Sequence, residues 1–144
     1  MPNRFIPVAD DFFASPQISL ADIEEAARIG VTLIINNRPD GEEPGQIAGA
    51  EIEAAARAAG LDYVAFPVGA AGISEEMLDK FLAAVRDTEG AALGYCKSGM
   101  RSAALRAFAL ARAGASIDDI LSQSAAAGFD LRGHRAMLEA FAGQ

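Results

Sequence analysis

The sequence predicts an α/β domain with a mostly parallel central sheet flanked by helices and a helical C-terminus. Three observations carry this. Short apolar runs rich in β-branched residues, Val31 to Ile35 foremost, recur between amphipathic segments. Those segments open on serine and close on glycine, the signals of helix starts and stops. Strand and helix in alternation give parallel strands joined by crossover helices. A chain of 144 residues, 51% hydrophobic, is also long enough to bury a core without staples, so residues 1–144 are read as one domain.

In chain order, Phe5 to Val8 and Phe12 to Ala14 are expected as a pair of strands at one sheet edge. Ser19 caps a first helix through Arg28, with Asp22, Glu24 and Glu25 early and Leu20, Ile23 and Ala27 at helical spacing; Gly30 closes it. Val31 to Ile35 is apolar almost throughout, as in a strand buried on both faces. Asn36 to Gly45 is a polar, turn-rich loop. A second helix, about Ile47 to Ala59, ends at Gly60 and leads into a strand at Tyr63 to Phe66. Ser74 caps a third helix with Glu75 and Glu76 in its first turn and Met77, Leu78, Phe81, Leu82 and Val85 on its apolar side. Ala91 to Tyr95 follows as a strand that ends at Cys96. Helices from Ser102 to Ala113, from Ile117 to Ala127 after Ser116, and from Leu131 to Phe141 complete the chain.

Composition narrows the function. The longest apolar stretches fall far short of the roughly 20 residues of a membrane span. The opening Met-Pro-Asn-Arg-Phe-Ile-Pro lacks the pattern of a secretory leader, so a cytoplasmic location is expected. One cysteine and one histidine supply neither a disulfide nor a zinc cluster; no metal and no cofactor are expected. A net charge of −8 argues against nucleic acid or a membrane surface as partner, since both are anionic.

The chemistry concentrates in Cys96-Lys97-Ser98-Gly99-Met100-Arg101. In open parallel sheets ligands sit beyond the carboxyl ends of the strands, which is where Cys96 falls. Small side chains at Ser98 and Gly99 let backbone N–H groups converge, and the following helix aims its positive end at the same point. Arg101 adds a forked guanidinium suited to an oxyanion. An arginine at a helix N-terminus opposes the dipole, so an anion partner explains it better than a solvated charge. Cysteines so placed have thiol pKa values lowered from ~8.5 to roughly 3.5–7.5. Cys96, Arg101 and Ser102 are therefore the expected catalytic residues, with Ser102 donating its hydroxyl to the sulfur. Lys97, Ser98, Gly99 and Met100 form the anion-binding loop. Arg38 and Asp40 are candidates for the pocket rim, Arg38 alternatively pairing with the acids beside it. The bland alternative for Cys96 is a small buried hydrophobe. His134, in the C-terminal tail, is read as a surface histidine rather than a partner of Cys96.

With these residues the chain resembles the phosphatase-like domain of beta-lactamase-hydrolase-like proteins, a bacterial group related in fold to dual-specificity phosphatases. The likeness runs through Ser15-Pro16-Gln17, Asn36-Asn37-Arg38-Pro39-Asp40-Gly41-Glu42, Phe66-Pro67-Val68 and Tyr95 to Ser102. It implies a protein-tyrosine/dual-specificity-phosphatase-like fold, a cysteine nucleophile and an arginine that binds the oxyanion.

The resemblance leaves the reaction open, and three departures bear on it. Four residues separate Cys96 from Arg101, one fewer than in cysteine phosphatases and as in the rhodanese loop. No carboxylate lies between Asp62 and Glu75, where dual-specificity phosphatases carry the acid that protonates the departing alkoxide. Tyr95 replaces the histidine that usually precedes the cysteine. Sulfane-sulfur transfer needs no acid, because thiolate or sulfite leaves as a stable anion. The sequence reading is thus a sulfurtransferase: Cys96 takes sulfur from a small anionic donor such as thiosulfate and passes it to an acceptor thiol or to sulfite, with a persulfide-oxidising enzyme as a partner. The alternative is a phosphatase acting on a phosphate-type substrate, with Asp40, Glu42 or Glu43 as a nonstandard acid. A catalytically idle anion-binding module is a third class.

Overall fold

The computed structural model describes residues 4–143; Met1 to Asn3, the start of the segment read for a leader, lie outside them, as does Gln144. Five strands, β1 (Ile6–Ala9), β2 (Phe12–Ser15), β3 (Val31–Asn36), β4 (Asp62–Ala65) and β5 (Ala91–Tyr95), form one sheet in the order β1-β2-β5-β3-β4. The edge pair β1 and β2 is antiparallel, and every other pairing is parallel. Six helices cover the sheet: α1 (Leu20–Arg28), α2 (Gly49–Ala58), α3 (Glu75–Asp87), α4 (Met100–Arg112), α5 (Ile117–Ala126) and α6 (Arg135–Ala142). The α/β class, the largely parallel sheet and the helical C-terminus match the expectation from sequence. No helix among the described residues is long and apolar enough to cross a membrane.

The pleat sends alternate residues of β3 to opposite faces. Leu33 and Ile35 join Phe81 of α3, Leu105 and Phe108 of α4, Ile120 of α5 and Leu138 of α6 in one cluster. Ile34 joins Leu93 of β5, Ile23 of α1 and Ile52 of α2 in the other. Serine starts α1, α3 and α5 as predicted. The Ser19 hydroxyl accepts from Asp22 N–H at 3.2 Å while the Asp22 carboxylate accepts from Ser19 N–H at 2.8 Å, a reciprocal cap. Ser74 and Ser116 cap α3 and α5 in the simpler way.

Most boundaries fall within one residue of the sequence reading, among them β1 and β4, each displaced by one; three differ by more. Helix α4 begins at Met100, two residues before Ser102, because Gly99 adopts a left-handed conformation (φ +98°) and turns the chain straight into the helix. Helix α2 begins at Gly49 rather than Ile47, its first N–H donating to the Asp40 carboxylate at 2.8 Å. The last predicted helix is split into a 3₁₀ turn over Arg132–His134 and α6. The Asp130 carboxylate anchors that turn by accepting from Arg132 N–H at 3.1 Å.

Helix α4 lies against the sheet through Gly94. A β-carbon there would stand 3.1 Å from the Ser102 Cβ, 3.2 Å from the Phe12 ring and 3.3 Å from the Asn37 Oδ1. Gly94→Ala is expected to cost about 1–3 kcal/mol by overpacking, measured as a lower urea midpoint with an unchanged slope.

Candidate active site

The parallel strands β2, β5, β3 and β4 end on one edge, and the segments beyond them are stitched together by backbone hydrogen bonds. Cys96 N–H donates to the Ser15 carbonyl (3.2 Å), Asn37 N–H to that of Tyr95 (2.8 Å) and Val68 N–H to that of Asn37 (2.9 Å). Gln17 N–H reaches the Lys97 carbonyl at 3.4 Å. The four segments that carry the family likeness therefore meet at one place.

Cys96 is fully buried there. Its sulfur accepts a hydrogen bond from Gly99 N–H at 3.0 Å, at the positive end of α4. A β-carbon on Gly99 would meet the Ser15 backbone and the Phe129 ring at 3.4 and 3.5 Å, ordinary contact distances, so it is the left-handed backbone (φ +98°) that calls for glycine there. Only Lys97, Ser98 and Gly99 lie between Cys96 and the first helical residue, so Arg101 stands in the first turn of α4.

The Arg101 guanidinium is held from outside the loop. Its Nη1 donates to Glu42 Oε2 (2.7 Å) and to the Val68 carbonyl (2.9 Å), and its Nη2 donates to Glu42 Oε1 (2.8 Å). Of the five guanidinium N–H groups, these bonds use both on Nη1 and one on Nη2, leaving the Nε–H edge for an anion. Arg101 also interacts with Cys96, and its pKa is raised, chiefly by the hydrogen bond to Glu42.

Glu42, which the sequence reading cast as a candidate acid or as one of the partners of Arg38, is central in the structure. It bridges Arg101 and Arg38, whose Nε donates to Glu42 Oε1 at 2.9 Å. Arg38 is buried, and its remaining nitrogens bond Glu43 (2.8 Å) and Gln17 (2.9 Å). Burial works against the charge of Arg38, but Glu43 and Glu42 outweigh it, and its pKa is raised. The bonds from Arg101 first, and then from Arg38, hold the Glu42 carboxyl at about 2, against the ordinary 4.5, despite partial burial. The stability that Glu42 contributes is therefore complete above about pH 4.5 and lost as the pH falls from there toward 2. Glu42→Gln is expected to lower the denaturant midpoint at neutral pH and to flatten its fall across that window, measured by urea unfolding at a series of pH values.

The other expected site residues fall as follows. Ser102 is buried, but its hydroxyl donates to Asn37 Oδ1 at 2.7 Å rather than to the sulfur. The amide of Asn37 is oriented by its own bond to the Phe66 carbonyl at 3.0 Å, which requires Nδ2 on that side. Ser102 thus ties α4 to the end of β3. Lys97 is exposed, its Nζ 3.8 Å from Glu43. Ser98 is exposed, and its hydroxyl accepts from Met100 N–H at 3.3 Å. Met100 turns away from the cradle into an apolar groove beside it. Arg38 pairs with the neighbouring acids, and Asp40 caps α2, so neither stands free at a rim.

The three candidate acids are likewise committed. Asp40 accepts from Gly49 N–H, Glu42 is ionised between two arginines, and Glu43 has its pKa lowered by its bond from Arg38. Tyr95 is buried on the α1–α2 face of the sheet, with its hydroxyl pKa raised by burial. His134 is exposed, with its ring edge-on to Phe108 at 5.6 Å. Among the described residues no three His, Cys, Asp or Glu side chains gather as metal ligands.

The chain matches, over residues 4–115, the family described as beta-lactamase hydrolase-like protein, phosphatase-like domain. The beta-lactamase hydrolase-like protein of Xylella fastidiosa strain 9a5c is 38% identical over 129 residues, which are 89% of this chain and 30% of that protein. That of Agrobacterium fabrum strain C58 is 39% identical over 89 residues, 62% of this chain and 21% of that protein. The chain thus spans less than a third of the length of these curated relatives. Among solved structures, a candidate phosphatase from Neisseria meningitidis Z2491 superposes with a TM-score of 0.84 at 31% identity, covering 97% of this chain and 99% of that one. Human DUSP28 gives 0.65 at 26% identity, covering 99% and 95%. The core catalytic domain of the PP-IP phosphatase SIW14 from Saccharomyces cerevisiae gives 0.66 at 18%, covering 99% and 85%, a likeness of fold alone.

Proposed function

The chain belongs to the phosphatase-like domain family of beta-lactamase hydrolase-like proteins, and from that premise we propose that it is a cysteine-dependent phosphatase with Cys96 as nucleophile and Arg101 as the oxyanion-binding residue. One observation carries the reading: the Cys96 sulfur accepts the Gly99 N–H at 3.0 Å at the head of α4, with Arg101 braced beside it by Glu42 and Val68. In the first step the sulfur attacks phosphorus, the S–P bond forms, and the P–O bond to the leaving group breaks with its electron pair going to oxygen. In the second, water attacks the phosphocysteine, releasing inorganic phosphate and restoring the thiol. The Nε edge of Arg101 and the loop amides stabilise the charge on the equatorial oxygens. Lys97 attracts the anionic substrate. A cytoplasmic setting, which keeps a lone thiol reduced, suits the nucleophile.

The absence of a poised acid defines which esters are cleaved. Pro67 to Ile73 contains no carboxylate, and Asp40, Glu42 and Glu43 are held as acceptors. Without general acid assistance, which is worth roughly 10²–10⁴-fold, the leaving group must depart as a weakly basic anion. Aryl phosphates, acyl phosphates and phosphoanhydrides qualify; alkyl phosphates do not.

That same absence, with the four-residue spacing, favours a second reading, sulfur transfer. There Cys96 attacks the outer sulfur of thiosulfate, the S–S bond breaks with release of sulfite, and the persulfide passes to an acceptor thiol. The family and the likeness to phosphatase structures support the first reading better. The test is to incubate the protein with 4-nitrophenyl phosphate and, separately, with thiosulfate. Nitrophenol release dependent on Cys96 supports the phosphatase. A gain of one sulfur on Cys96, reversed by cyanide, without nitrophenol release would replace it by the transferase.

A further inference from the structure

We propose that the groove between α4 and α6 receives the apolar part of the substrate, so that the molecule acted on is an amphiphile whose leaving group is both weakly basic and apolar. The inference rests on the phosphatase reading and names the substrate class for that site.

The groove has a volume of about 380 Å³, within the roughly 300–1,000 Å³ of small-molecule sites. Its floor is one stripe of α4: Met100, Ala104 and Phe108 recur at every fourth position and point the same way. Met137 and Phe141, four apart on α6, form the facing wall. The segment after β4 closes the third side with Ile73.

Arg101 is the hinge of the argument. It lines the groove and also interacts with Cys96, and its Nη1 bond to the Val68 carbonyl ties the groove wall to the anion cradle. A trough lined by apolar side chains along most of its length, with His134 beside Phe108 and the guanidinium of Arg101 at the Met100 end, matches a molecule with one anionic head and an apolar body. Such a molecule places its phosphoryl group at Arg101 and lays its leaving group along α4.

Exposure points the same way. Of the four large apolar side chains that stay exposed among the described residues, two, Met100 and Met137, stand at this groove, 37% and 47% exposed. Both are unbranched thioethers, the side chain that adapts best to an apolar guest. A monomer gains nothing by leaving them open to water; a ligand that covers them does. Ala104 keeps the floor low, since any larger side chain there would fill the space.

The test is a series of 4-alkylphenyl phosphonates, with methyl, butyl and hexyl chains, titrated calorimetrically into Cys96→Ser protein. The matching phosphates are turned over by the unaltered protein. Acidity of the phenol is nearly constant along this series, so chain length isolates the groove from the leaving-group effect. Each methylene buried is worth about fourfold in affinity; the five methylenes that separate hexyl from methyl amount to on the order of 10³-fold if all are buried and to tens of times if only two or three are, so the hexyl compound is expected to bind at least tens of times more tightly than the methyl one, with kcat/KM rising in parallel. Met137→Gln, at an exposed helical position, is expected to cut the hexyl-to-methyl ratio at least about fivefold. Binding of every phosphonate with equal affinity would overturn the groove proposal while leaving the phosphatase reading intact. Failure of every phosphonate to bind, with no turnover of any phosphate, would overturn both.

Discussion

Cys96→Ser is expected to lower kcat/KM for 4-nitrophenyl phosphate by about 10⁴-fold or more, with the fold intact. A serine oxygen is a weak nucleophile unless a base takes its proton, and none is at hand. Ser102 gives its hydrogen to Asn37, and His134 stands against Phe108. The substitution nevertheless keeps an acceptor for Gly99 N–H, where the sulfur sits at 3.0 Å, and is close to isosteric in a fully buried position. Urea unfolding should therefore change by little more than about 1 kcal/mol. A loss of activity matched by a collapse in stability would assign Cys96 a packing role instead.

Arg101→Lys is expected to cost about 10²–10³-fold in kcat/KM, most of it in kcat. Lysine keeps the charge but loses the geometry. The guanidinium spends both Nη1 protons and one Nη2 proton on Glu42 and the Val68 carbonyl, which leaves its Nε side for the phosphoryl oxygens of the proposed substrate. A single ammonium drawn to Glu42, an ionised carboxylate already shared with Arg38, is pulled away from the phosphoryl oxygens and cannot offer two parallel donors. Steady-state kinetics on the same ester separates the effects: a fall in kcat with little change in KM marks an interaction made in the transition state, whereas a rise in KM alone would make Arg101 a ground-state anchor.

The parts of this site that were legible from sequence are those fixed by local geometry. Cys96 follows a short apolar strand and precedes a helix, so its position at the carboxyl edge of the sheet follows from strand–helix alternation. Ser19, Ser74 and Ser116 announce their helices because an N-cap needs only residues three apart. The illegible parts are long-range. Glu42 reaches Arg101 across 59 residues, and Asn37 reaches Ser102 across 65; no periodicity encodes either meeting. Ser102 was expected to serve the sulfur, but a hydroxyl buried in the core takes the acceptor fixed nearest to it, here an amide already oriented by Phe66. The start of α4 moved to Met100 because the left-handed Gly99 completes the turn by itself. That shift puts Arg101 on the helix and leaves a short cradle.

The choice of reaction was also beyond local reading. The missing acid and the short spacing turned the sequence reading toward sulfur. The family match over residues 4–115 and the structural likeness to a candidate phosphatase at 31% identity favour phosphate, the alternative held beside it. The two lines are compatible once the leaving group, rather than the enzyme, supplies the missing acidity.

The most direct test is the covalent state of Cys96 during turnover. Protein mixed with excess 4-nitrophenyl phosphate, quenched in acid within milliseconds and analysed by mass spectrometry, should carry one phosphoryl group on the peptide containing Cys96. The adduct should be absent from Cys96→Ser and should decay at the rate at which phosphate is released. Turnover that leaves Cys96 unmodified at every time point, or a protein that takes up sulfur from thiosulfate and never a phosphoryl group, would contradict the account.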